Sequence, residues 1–115
     1  MQIWHNPKCS KSRQTLELLT EAGAEVQVRR YLEEPPTAPE LAAVLERLDL
    51  QPWELVRRGE AVFKDLGMRD WAKHDAPRWI AAMVANPKLI ERPVVLADDG
   101  RAVVGRPPTN VNDLL

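Results

Sequence analysis

The stretch Met1-Gln2-Ile3-Trp4-His5-Asn6-Pro7-Lys8-Cys9-Ser10-Lys11-Ser12-Arg13-Gln14-Thr15 decides how the rest of the chain is read. A short apolar run, Gln2 to His5, meets a proline-containing turn, and the single cysteine lies just beyond it. From Ser10 onward Leu16, Leu18, Leu19 and Ala22 fall largely along one stripe, the spacing of a helix that ends at Gly23. Cys9 therefore stands where a strand hands over to a helix.

The first turn of a helix carries backbone N–H groups without intrahelical partners and the positive end of the peptide dipole. Both favour a thiolate over a thiol. Lys8, Lys11 and Arg13 add positive charge nearby, and His5 adds charge or a hydrogen-bond partner four residues upstream. The same features suit a tetrahedral oxyanion, so one geometry serves both a nucleophile and an anionic substrate.

The totals bound the rest. At 115 residues the chain is long enough for one domain with its own core, and 44% hydrophobic with 29% charged residues is the composition of a soluble globule. Sixteen basic residues against 17 acidic ones leave a net charge of -1. No global field draws the protein to nucleic acid or to an anionic membrane, so neither is expected as a partner. No apolar leader or membrane-spanning run is present, and a cytoplasmic location is the expectation. One cysteine cannot form an intramolecular disulfide, so any redox cycle must borrow a thiol from another molecule. With Cys9, His5 and His74 as the whole Cys/His complement, no zinc site is expected.

Along the chain, alternation of Val26 and Val28 with Gln27 and Arg29 predicts a second strand from Glu25 to Tyr31. Two strands joined by a helix make a right-handed parallel βαβ unit. Pro35-Pro36 break the pattern, and Thr37-Ala38-Pro39-Glu40 has the form of a capping box. Leu41, Val44, Leu45 and Leu48 then recur at helical spacing. Further helices are predicted from Pro52 to about Arg58, from Glu60 to Leu66, and from Asp75 to Asn86, so the chain reads as all helix from Pro36 to Asn86. Val94 to Ala97 and Arg101 to Gly105 flank Asp98-Asp99-Gly100 as a hairpin, and Val111, Leu114 and Leu115 suggest a short terminal helix.

The order βαβ, helical block, ββα predicts an α/β fold: a mixed four-stranded sheet of thioredoxin-like type in one domain, with a helical insertion at about residues 37–86 between its halves. The carboxyl end of the first strand, where Cys9 lies, is where ligands of open α/β sheets collect. A thiolate attacking an oxyanion needs fixed cations, and arginine's planar fork grips two oxygens at once. Arg57, Arg92 and Arg106 stand at chain boundaries from which a cleft is within reach, and Arg92-Pro93 is a candidate cis peptide. The four tryptophans read as packing residues, and no glycine-rich phosphate loop is present.

His5-Asn6-Pro7-Lys8-Cys9-Ser10-Lys11-Ser12-Arg13, Asn86-Pro87-Lys88-Leu89-Ile90-Glu91-Arg92-Pro93-Val94-Val95 and Gly105-Arg106-Pro107-Pro108 together resemble the ArsC family of glutaredoxin-dependent arsenate reductases, its YfgD-like branch above all. The resemblance covers essentially the whole chain. It implies a thioredoxin-like fold with no bound cofactor, in which the thiolate of Cys9 attacks arsenate or a similar oxyanion. Glutathione and glutaredoxin would serve as external reductants. It places the family's nucleophile-tuning histidine on His5 and its oxyanion-binding arginines on Arg57, Arg92 and Arg106, the first match admitting the adjoining Arg58 as well. Ser12 is grouped with the arginines as a substrate contact. The related Spx regulators, which bind RNA polymerase, carry a second cysteine where this chain has Ser12, which favours an enzyme. Two alternatives remain beside arsenate reduction: an Spx-like binding module and a general glutathione-dependent thiol-disulfide oxidoreductase.

Overall fold

A computed structural model describes all residues from Met1 to Leu115. The chain divides into two compact units, Met1–Glu34 with Arg92–Leu115, and Pro35–Glu91.

The first unit is built on β1 (Gln2–Trp4), α1 (Ser10–Glu21), β2 (Gln27–Arg29), β3 (Val94–Leu96) and β4 (Ala102–Val104), closed by a 3-10 helix over Pro108–Leu114. The strand order is β2-β1-β3-β4. β1 runs parallel to β2 with Trp4 opposite Arg29, and antiparallel to β3 with Trp4 opposite Val94. β3 pairs antiparallel with β4, Val94 facing Val104. This is the mixed thioredoxin-like sheet predicted from the element order. The strands are shorter than their apolar patterns suggested, and β2 stops at Arg29 because the chain turns at once, Arg30 O accepting the amides of Glu33 and Glu34.

One face of this sheet is covered within the unit itself. Ile3 and Val95 of the central strands meet Leu19 of α1 and Val111 and Leu114 of the terminal 3-10 helix, all buried. The helical stripe of α1 and the alternation of the strands thus close on one apolar layer. The Asp98-Asp99-Gly100 turn takes Gly100 to φ 97°, a conformation open to glycine and strained for a side chain.

The second unit holds α2 (Ala38–Leu48), α3 (Pro52–Leu55), α4 (Ala61–Asp65) and α5 (Ala76–Ala85), with 3-10 turns at Met68–Asp70 and Pro87–Leu89. The capping box at the start of α2 forms as read: Thr37 Oγ1 accepts the Glu40 amide at 3.2 Å and Glu40 Oε1 accepts the Thr37 amide at 3.0 Å. α5 packs on α2 and α3, with Trp79 edge-on to both Trp53 and Trp71. The region is not helical throughout, as the sequence reading had it. α3 ends at Leu55 because Val56 leaves the helix to pair with Ile90 in an isolated antiparallel bridge, fixed by Arg57 N–H to Leu89 O at 2.7 Å and Glu91 N–H to Leu55 O at 2.8 Å. No helix in the chain is long and apolar enough to cross a membrane.

Candidate active site at the end of the first strand

The turn that delivers Cys9 is made by Asn6 and Pro7. Asn6 O accepts the Cys9 amide at 3.0 Å, closing a four-residue turn with proline at its second position, and Asn6 Oδ1 accepts the Lys8 amide at 3.0 Å. Cys9 is then the residue at the helix N-terminus, extended at φ -93° and ψ 123°, its carbonyl accepting the Arg13 amide that opens α1. The sequence reading located the turn but gave Asn6 no part in it; the Asn-Pro pair ahead of a helix was the available signal.

Cys9 is part-buried and unpaired in any disulfide. Burial pushes its thiol up, but the amide of Ser12, the Arg92 guanidinium and the amide of Lys11, together with the charge of Arg92, outweigh that and hold it below its ordinary value. The helix-start amides read from sequence favour the thiolate, whereas the charge that does so is that of Arg92 and not of Lys8, Lys11 or Arg13, to which the sequence reading gave it.

Arg92 reaches this position because β3 begins two residues later, antiparallel to β1, at the end where β1 delivers His5. Arg106 follows β4, antiparallel to β3, and returns to the same end, where its Nη1 lies 3.4 Å from the Arg92 carbonyl oxygen. The Arg92-Pro93 and Arg106-Pro107 peptides are both cis. Between them Gly105 donates its amide to Pro93 O at 2.9 Å and sits against Thr15 of α1. Topology alone therefore brings Cys9, His5, Arg92 and Arg106 to one end of the first unit.

His5 extends the β1–β2 ladder by donating its amide to Arg29 O at 2.8 Å. His5 is 6% exposed, with Nδ1 2.6 Å from Ser12 Oγ. Burial, then the charges of Arg30 and Arg13, lower its pKa, so at neutral pH it is an uncharged hydrogen-bonding group. Of the two roles left open for His5, charge or hydrogen-bond partner, the ring takes the second, because it is desolvated and two arginines lie near it. Ser12 is fully buried, and its hydroxyl is occupied by His5 and by the Asn6 amide at 3.0 Å. Its hydroxyl is thus committed to two protein partners, and its backbone N–H is directed at the Cys9 sulfur.

Arg57 belongs to the second unit. There its Nη1 contacts Glu91 Oε1 at 2.6 Å and its Nε contacts Glu60 Oε1 at 3.3 Å, while the neighbouring Arg58 guanidinium lies over the Phe63 ring at 5.8 Å.

Comparison with known proteins agrees with this architecture. The family model described as ArsC family matches residues 4–114. The uncharacterized protein YfgD of Escherichia coli K12 is 45% identical, covering 100% of this chain and 96% of the relative. An arsenate reductase of Neisseria meningitidis serogroup A is 40% identical, covering 100% and 97%. The solved arsenate reductase from Vibrio cholerae superposes with a TM-score of 0.90 at 44% identity, covering 100% of this chain and 98% of the other. A match spanning nearly every residue, on a sheet that carries a free cysteine and two arginines at one end, makes this chain a member of the ArsC family.

Proposed function

We propose that the protein is an arsenate reductase that works through Cys9 and takes its electrons from glutathione and glutaredoxin. The observation that carries this reading is the free Cys9 at the start of α1, met there by the Ser12 and Lys11 amides and the Arg92 guanidinium, which lower its pKa. The arsenate reductases among its relatives support the choice of oxyanion.

In the first step the Cys9 thiolate attacks the arsenic of dihydrogen arsenate. An As–S bond forms, an As–O bond breaks, and the departing oxygen takes up a proton and leaves as water. Arg92 and Arg106 grip the oxygens and offset repulsion between two anions, and the Ser12 and Lys11 amides hold the sulfur. Ser12 and His5 act as positioning residues, their buried hydrogen bond fixing the helix start on which the sulfur rides. A glutathione thiol then attacks the Cys9 sulfur. The As–S bond breaks with its electron pair on arsenic, giving arsenite and a Cys9-glutathione disulfide. The two sulfurs have supplied the two electrons, and the thiol proton goes to an arsenite oxygen. A glutaredoxin thiolate finally attacks the glutathione sulfur and releases the Cys9 thiolate.

The test is arsenite release from arsenate with glutathione and glutaredoxin present. Wild-type turnover, dependence on both thiols, and its loss in Cys9→Ser with the fold retained are expected. Turnover that survives Cys9→Ser, or that needs neither thiol, overturns the reading.

A further inference from the structure

The lysines and arginines of the first unit are not spread over it. β1 and β2 run parallel, β3 starts and β4 finishes at the end where β1 finishes, and α1 begins there. Seven of the eight lysines and arginines in residues 1–34 and 92–115 consequently stand at the Cys9 end. Glu33 and Glu34 are the acidic residues beside them, whereas Glu21, Glu25, Asp98 and Asp99 lie at the opposite end, past the close of α1 or at the β3–β4 turn. With a net charge of -1 for the chain, this is segregation of charge and not an excess of it.

The cations fall into two sets. Arg92 and Arg106 belong to the anion clamp. Lys8, Lys11, Arg13 and Arg30 are exposed to solvent around it. Arg29 completes the edge, its guanidinium 5.5 Å from the centroid of the Trp4 ring. A single tetrahedral oxyanion accommodates few donors, so the outer set is surplus to it. The chain has one cysteine, and every redox cycle through it needs a sulfur on a second molecule that must approach this end.

We infer that the outer cations form a docking surface for an acidic face on a thiol-bearing protein, which is thereby steered onto the oxidised Cys9; the inference rests on the thiol-dependent reading given above. Charge complementarity of this kind raises association rates at low salt. A long nucleic acid fits less well, because Glu33 and Glu34 interrupt the rim and the far end of the unit is acidic.

The experiment starts from the full chain carrying the Cys9-glutathione disulfide and contains no arsenate. Release of free Cys9 is followed with a glutaredoxin of acidic net charge and, separately, with the small neutral thiol 2-mercaptoethanol. The variant Lys8→Glu/Arg29→Gln is compared with wild type and with Glu25→Lys, which changes charge at the other end. At low ionic strength we expect kcat/KM for glutaredoxin to fall about ten-fold or more in the double variant and to hold in Glu25→Lys. The difference should vanish at about 0.5 M salt, where the screening length is roughly 4 Å. The 2-mercaptoethanol rate should change less than two-fold. Salt-independent glutaredoxin rates, or an equal loss with 2-mercaptoethanol, overturn the docking surface, as does duplex DNA binding that is lost in the double variant while glutaredoxin exchange is unchanged. Absent arsenite production with normal, salt-sensitive exchange would instead overturn the arsenate reading alone.

Discussion

His5 Nδ1 and Ser12 Oγ lie 2.6 Å apart, buried, and the same hydroxyl accepts the Asn6 amide. The hydroxyl's other partner is an amide donor, so the neutral imidazole's Nδ1 is the one acceptor its proton has, and this assigns the ring's own proton to Nε2. Nitrogen-15 NMR of the His5 ring should report a neutral imidazole protonated at Nε2 at pH 7. Ser12→Ala removes one partner from both a buried ring nitrogen and a buried amide, and should cost about 2 kcal/mol in a urea melt. A protonated ring, or an alanine variant as stable as wild type, contradicts the arrangement.

Stability should depend on pH through the same ring. Because the folded His5 pKa is lowered, the unfolded chain binds a proton below its ordinary value of about 6.5 that the folded chain refuses. Stability therefore falls as pH drops from about 6.5 toward the folded value, and is fully present above that window. In His5→Gln the decline between pH 7 and 5.5 should flatten, as read by urea midpoints at each pH; an unchanged slope assigns it to other groups.

Cys9 titrates in the opposite sense to a buried thiol. Burial alone would raise it, but the Ser12 amide and the Arg92 guanidinium lead the influences that lower it. The rate of alkylation by iodoacetamide against pH should show a midpoint below that of an ordinary thiol. Arg92→Ala should move the midpoint upward, toward the ordinary value, while leaving the melting temperature near wild type. A midpoint unmoved by the loss of Arg92 would leave the helix-start amides as the sole source of activation.

The placing of Cys9, Arg92 and Arg106 at one end of the sheet was legible in the sequence because each marks a chain boundary: Cys9 before a helical stripe, Arg92 and Arg106 each before a proline at a strand end. The boundaries of α1 and the capping box at Thr37 were legible for the same reason, since local side-chain chemistry sets them. What depends on contacts distant in sequence was not. Val56 has the spacing to continue a helix and is drawn out of it by Ile90, thirty-four residues on. The neutrality of His5 is set first by its burial and then by Arg30, which follows the parallel strand β2, and its ring bonds Ser12 seven residues on.

Gly105 is required by a close approach. A Cβ there would stand 2.6 Å from Thr15 Oγ1, 2.8 Å from Pro93 Cγ and 3.0 Å from Thr15 Cγ2. Thr15 is fully buried and its hydroxyl is already committed to Lys11 O at 2.8 Å, so it has little freedom to withdraw. Gly105→Ala should destabilise the fold by about 1–3 kcal/mol and raise KM for arsenate by displacing Arg106. In Thr15→Ala/Gly105→Ala two of the three close contacts are gone, so the pair should be coupled: the second substitution costs less on the Thr15→Ala background than alone. Strict additivity in denaturant melts would show that the crowding is relieved elsewhere.

Arg57 makes two ion pairs inside its own unit, with Glu60 three residues on and with Glu91 at the far end of the segment that bridges back to Val56. Side chains in both pairs are between a fifth and a third exposed, so solvent screens them and the worth of each is small. The Glu91 contact, at 2.6 Å, ties together the same two stretches that the Val56–Ile90 bridge joins, and it is the stronger of the two on distance. Glu91→Gln should cost about 1 kcal/mol and Glu60→Gln less, each read as a shift in melting temperature that shrinks as salt is raised. Arg57→Met removes both contacts at once and leaves two carboxylates beside an apolar side chain; its loss should exceed either single change. Should Glu60→Gln prove the costlier substitution, the local pair along the turn, and not the link between segments, would be what Arg57 contributes to the fold.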